Sequence, residues 1–102
     1  METKLILTAN FDILPGFEKE VKESVIALAA ETRKEPGSEL FLIHTRNDSP
    51  QTIEFYEIYK SAEAFELHKT LPYAAKFFEF VKGKIVDDKI EVVFLTPLDS
   101  SI

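Results

Sequence analysis

The chain has no cysteine and no tryptophan, and only three glycines, one methionine and two histidines in 102 residues. Without cysteine there can be no disulfide, no thiolate metal site and no thiol nucleophile. Such a chain suits a reducing compartment, so the expected location is cytoplasmic. His44 and His68 are too few, and too far apart in the chain, to form a recognisable metal spacing. No metal is expected. The Gly-rich dinucleotide fingerprint and the phosphate-binding loop are both missing, as is the Gly-x-Ser-x-Gly nucleophile elbow. Any chemistry is therefore expected to run with no bound cofactor.

Positive charge is also scarce. Twelve Lys and Arg stand against eighteen Asp and Glu, a formal charge of −6. Phosphate recognition needs a basic patch, and no window supplies one, which argues against nucleic acid and against an anionic membrane surface. The longest wholly apolar run, residues 25–30, falls far short of the roughly 20 residues of a membrane span. Met1 to Lys4 lacks the basic-then-apolar layout of a secretory signal. The expected partner is a small molecule.

Phenylalanine, by contrast, is plentiful: nine residues, in a chain that is 45% hydrophobic. A single domain spanning 1–102 buries only about 60–65% of its unfolded surface. Either its core is dense in aromatics or a second subunit covers part of the apolar surface.

Residues 5–13 begin as an apolar run and then alternate, as a strand does; Pro15-Gly16 ends them. From Phe17 to Lys34 the period becomes helical, with Phe17, Val21, Val25, Leu28 and Ala29 on one stripe. Pro36-Gly37 closes that helix. Residues 39–46 and 52–60 read as two strands joined by the polar turn Asn47–Pro50, hence an antiparallel hairpin. Ser61 is suited to N-cap a helix over 62–68. Pro72 opens another, reaching about Lys82, and Gly83 stops it. Residues 85–95 read as the last strand and 97–102 as a loose tail.

The order β-α-β-β-α-β predicts an α+β, ferredoxin-like antiparallel sheet with helices on one face. Ile53, Phe55 and Tyr59 point to one side of the third strand, and Tyr56 and Ile58 to the other. Both faces need cover, yet helices exist for one. A homodimer packing sheet on sheet is expected.

Several polar groups lie among these aromatics. His68 follows Phe65 by three residues, on the same side of a short helix. It reads either as a general base near an apolar pocket or as a cap bonding a carbonyl at the helix end. Glu57 shares a strand face with Phe55 and Tyr59, where an unpaired carboxylate is costly. It could orient a histidine, sit at a wet edge, or pair across a dimer. Tyr73, Phe77 and Phe80, with Phe78 and Val81 beside them, form a stripe that suits a core or a planar ligand. His44 reads as a surface residue, and Arg33 as a partner in a surface ion pair.

"RKEPGSELF" followed by "FYEIYKSAEAFELHKTLPYAAKF" resembles the antibiotic biosynthesis monooxygenase domains over nearly all of residues 4–97. The pattern is an Arg-x-Glu-x-Gly turn into a strand, an aromatic-Glu-x-aromatic strand, and an Ala-x-x-x-His helix followed by another. The resemblance implies a dimeric α+β barrel with a pocket between sheet and helices. It implies cofactor-independent monooxygenation of a small phenolic or quinol substrate. In that reading His68 and Glu57 are catalytic, the glutamate holding the histidine. Phe41, Tyr59, Tyr73, Phe77 and Phe78 form the substrate-binding walls. Tyr59 stands where members often have Trp, and Tyr73 where many have a second His, which sets this chain apart from the haem-degrading branch. The alternative is a relative with the same pocket and no oxygen chemistry: an isomerase of a phosphorylated hydroxy-ketone, or a binding protein. A dimerising module with a filled core would show no cavity.

Overall fold

A computed structural model describes residues 3–100. The elements run β1 (Leu5–Asp12), α1 (Glu18–Thr32), β2 (Ser38–Arg46), β3 (Ser49–Tyr59), α2 (Ala62–Thr70), α3 (Pro72–Val81), a 3-10 turn (Val86–Asp88) and β4 (Glu91–Leu95). The four strands form one antiparallel sheet in the order β2-β3-β1-β4. This is the ferredoxin-like α+β arrangement expected from the element order. Among the described residues, no helix is long and apolar enough to cross a membrane.

Local chemistry accounts for most boundaries. The Ser61 hydroxyl accepts from the Ala64 N–H at 3.1 Å and starts α2. Pro72 opens α3, where its missing N–H costs nothing. Gly16 and Gly83 have φ of 96° and 78°, values side chains resist, and they end β1's extension and α3 respectively.

The last strand is shorter than residues 85–95. Ile85 makes an isolated bridge to Ile13. Then Asp87 and Asp88 take φ of 57° and 50°, and the chain turns before β4 begins. Aspartate tolerates the left-handed region better than most residues because its short side chain bonds locally; here Asp88 Oδ1 accepts from the Gly83 N–H at 2.6 Å. Of the expected tail, residues 97–100 have no helix or strand, and 101–102, like 1–2, lie outside the described residues.

Period-two alternation divides the sheet into two faces. Leu7, Ala9 and Phe11 of β1 and Ile53, Phe55 and Tyr59 of β3 join Val21, Val25, Leu28 and Ala29 of α1 and Ala74, Phe77 and Val81 of α3 in one core. Phe80, expected on that stripe, points outward and stays exposed. The opposite face is apolar without helices over it. Ile6 pairs with Ile58 and Leu95, and Ile58 with Leu40. Leu42, Val93 and Leu95 remain 40%, 50% and 41% exposed.

Candidate active site

A cavity of about 140 Å³ opens between the sheet and the helices. Leu7 and Ala9 of β1 and Phe41 and Phe55 of β2 and β3 form its floor; Leu28, Phe65, Phe77 and Phe78 wall it from the helices; Ile90 and Val92 close one side. Glu57, His68 and Lys69 are the charged or titratable groups lining it. An apolar cavity near this size accommodates roughly one benzene ring.

His68 sits in the last turn of α2, 4% exposed, with its ring 5.4 Å from Tyr59 and 6.2 Å from Phe41. Its Nδ1 lies 2.7 Å from Glu35 Oε2. Neither the expected pairing with Glu57 nor a helix-end carbonyl bond is found. Glu35 reaches it from the loop after α1, and three neighbours place that loop. Arg33 donates Nε and Nη2 to the Phe41 carbonyl at 3.0 and 2.9 Å. That replaces the expected ion pair, and it covers a carbonyl on β2, an edge strand. Pro36 turns the chain. Gly37 then passes so close to α2 that a Cβ there would stand 2.6 Å from Ala64 Cβ. Arg33, Pro36 and Gly37 thus each help to present Glu35 to His68.

The geometry has a chemical consequence. A carboxylate on Nδ1 favours the tautomer with the proton there, which leaves the Nε2 lone pair free. Among the described residues Nε2 has no partner, and it is not an enclosed orphan either. The ring belongs to the cavity lining, and Nε2 is its unbonded nitrogen.

Glu57 lies on the floor, on the central strand β3, and is 6% exposed. Its Oε1 accepts from the Tyr59 hydroxyl at 2.6 Å. The two residues are i and i+2 on one strand face, so period two makes the pairing local. Burial pushes the Glu57 carboxyl up to about 7; the Tyr59 hydrogen bond works against the rise and Glu35 adds to it. Burial likewise raises Tyr59, with the neighbouring Glu57 carboxylate adding to it, so the phenol stays protonated. No protein group among those described bonds Glu57 Oε2.

Phe41, Phe77 and Phe78 line the cavity as expected, whereas Tyr59 and Tyr73 do not. Tyr59 is fully buried, anchoring Glu57 behind the lining. Tyr73 faces a separate groove between α1 and α3 and presents its ring edge to His68 at 6.3 Å. Its hydroxyl is buried with no hydrogen-bond partner among the described residues. His44 is exposed, with Nδ1 3.1 Å from the Glu54 carbonyl oxygen. Among the described residues no three His, Asp or Glu side chains are grouped to hold a metal ion.

A one-sided α+β sheet with a small apolar cavity and two buried titratable pairs defines a small-molecule pocket protein. The sequence profile of the family described as antibiotic biosynthesis monooxygenase matches residues 5–79. The chain belongs to that family. Among solved structures, Rv0793 from Mycobacterium tuberculosis superposes with a TM-score of 0.90 at 21% identity, over 98% of this chain and 100% of that one. PA3566 from Pseudomonas aeruginosa gives 0.89 at 21%, over 97% and 98%. A protein described as antibiotic biosynthesis monooxygenase gives 0.88 at 18%, over 93% and 99%. These likenesses establish the fold. A search of curated protein sequences found no significant match.

Proposed function

We propose that the chain is an enzyme that oxygenates a single-ring phenol or quinol, with His68 as general base and no resident cofactor. The observation that carries this reading is the buried Glu35–His68 pair, which leaves Nε2 free at an apolar cavity sized for one ring. Family membership supports the reaction type. The chemistry asks little of the protein. His68 takes the phenol proton, and the phenolate is electron-rich enough to reduce dioxygen itself. A ring C–H carbon becomes bonded to oxygen as a hydroperoxide. Loss of water then leaves a quinone, one oxygen atom retained as carbonyl and the other released as water. The substrate supplies all four electrons. Phe41, Phe77 and Phe78 orient the ring and keep water out.

Oxygen uptake with a panel of one-ring phenols and quinols tests this. One O₂ consumed per quinone formed is expected, with His68→Asn nearly inactive. No uptake with any of them, or an undiminished rate in the variant, would overturn the assignment.

A second reading draws on Glu57, a second protonatable group in the same cavity. A base and an acid would also tautomerise a hydroxy-ketone, and turnover without oxygen would identify that reaction. A phosphorylated ligand fits less well: Lys69, the cavity's cation, is already 3.1 Å from Glu66.

We also propose that two copies pair through the helix-free sheet face. Leu42, Val93 and Leu95 are the large side chains that such pairing would cover, each worth roughly 1.5–3 kcal/mol when buried. Light scattering should return twice the chain mass of 11.6 kDa at micromolar concentration, and Val93→Glu should return the single mass. Val93, half exposed, is a cleaner probe than Ile58, which one chain already buries. A wild-type monomer at tens of micromolar, or a dimeric variant, contradicts it.

A further inference from the structure

We propose that Glu57 is the proton donor of the cavity, giving the proton on its Oε2 to an oxygen of the bound ligand. The inference rests on the site reading above and deepens it. Glu57 lines the cavity from the central strand. The Tyr59 hydroxyl donates to Oε1, which fixes the carboxyl's rotation and leaves Oε2 to carry its proton. Among the described residues no group bonds Oε2, which leaves it open to a ligand. The groups around Glu57 are Tyr59 on its own strand, Glu35 from the loop after α1, and His68 and Lys69 from α2. The one full cation among them, Lys69, is turned to Glu66 and to the Phe65 ring, 4.9 Å below. Among the described residues no cation bonds the carboxyl; the Tyr59 hydrogen bond alone favours its anion, and burial outweighs it. An imidazole with an unbonded nitrogen and a buried carboxyl that keeps its proton can serve as the base and the acid of one site. His68 has a carboxylate partner; Glu57 has burial and a neighbouring acid.

In the oxygenation the donor has a definite moment. His68, having returned its first proton to the peroxide, takes the C–H proton of the hydroperoxide-bearing carbon. The O–O bond breaks, its inner oxygen becomes the carbonyl, and the outer leaves as hydroxide. The Glu57 proton converts that hydroxide to water. The proton on His68 returns to Glu57 through solvent, and the site is restored.

The test is calorimetric binding of 4-nitrophenolate at about pH 8, in buffers of different ionisation enthalpy, which reads proton uptake independently of turnover. At that pH the carboxyl is largely ionised, so a ligand that needs its proton must draw one from solvent. Uptake approaching one proton per site is expected in the wild type and in His68→Asn, and none in Glu57→Gln. Tyr59→Phe removes the hydrogen bond that holds the carboxyl down, so its uptake should extend to higher pH. Should Glu57→Gln fail to fold, the direction of the Tyr59→Phe shift decides alone. Binding without uptake, uptake that survives Glu57→Gln, uptake lost in His68→Asn, or an unmoved Tyr59→Phe profile overturns this assignment only. A wild type that binds no such phenolate overturns the site reading and this inference together.

Discussion

Glu35 and Glu57 are both glutamates beside the same small space, yet their surroundings assign them opposite work. Glu35 sits on a loop, 11% exposed, and meets a histidine ring. Glu57 sits mid-sheet and accepts a hydrogen bond from a phenol. A histidine partner makes a carboxylate useful as an anion, because it steadies a proton on Nδ1. Burial in the cavity floor inclines the Glu57 carboxyl to keep its own proton, by more than the phenol's hydrogen bond pulls the other way. The lesson is that residue type does not set the role; the partner and the burial do.

The largest way to break this contrast is to remove the base. His68→Asn should lower oxygen-dependent turnover roughly 10²–10⁴-fold, the usual worth of a general base, while Glu57 keeps its titration. Next comes stability against pH. Glu57 moves from an ordinary 4.5 to about 7 in the folded chain. Between those values the unfolded chain gives up the proton first. Stability from this group is therefore full below about 4.5, falls as pH rises to 7, and is flat above. The loss is on the order of 3 kcal/mol. Urea melts across that range should show a falling wild-type stability relative to Glu57→Gln, whose difference curve levels above pH 7.

Smaller effects touch the Glu35 side alone. Gly37→Ala places a methyl against Ala64, and overpacking of this kind costs roughly 1–3 kcal/mol. It should also separate Glu35 from His68. Adding Ala64→Gly should restore the contact, read as recovered turnover, despite about 1 kcal/mol of lost helix propensity. The smallest effect belongs to Arg33→Met, which frees the Phe41 carbonyl. Urea melts should show a loss of about 0.5–1.5 kcal/mol, with the Glu57 titration unmoved.

Much of the architecture was legible because it is written in local periods. The change from alternation to a 3.6-residue stripe at Phe17, the Ser61 cap and Pro72 each act within a turn or two. The start of β4 was not legible: Ile85 and Ile90 look like strand residues on either side of an Asp-Asp pair that bends the chain. The site divides the same way. The Glu57–Tyr59 contact spans two residues of one strand face and could have been read from period two. Glu35–His68 spans 33 residues. It depends on where α2 docks, which no local pattern encodes, and its only trace was the order Arg33, Glu35, Gly37. The cavity was foreseen only through the family resemblance, since a stripe of phenylalanines by itself fills a core and lines a pocket equally well.

The contrast between the two carboxyls rests on the protonation of one of them. Carbon-13 NMR of the glutamate side-chain carboxyls, with Glu57→Gln to identify the resonance, measures it directly. A Glu57 midpoint near 7 is the result predicted here; a midpoint in the ordinary glutamate range near 4.5 would contradict it.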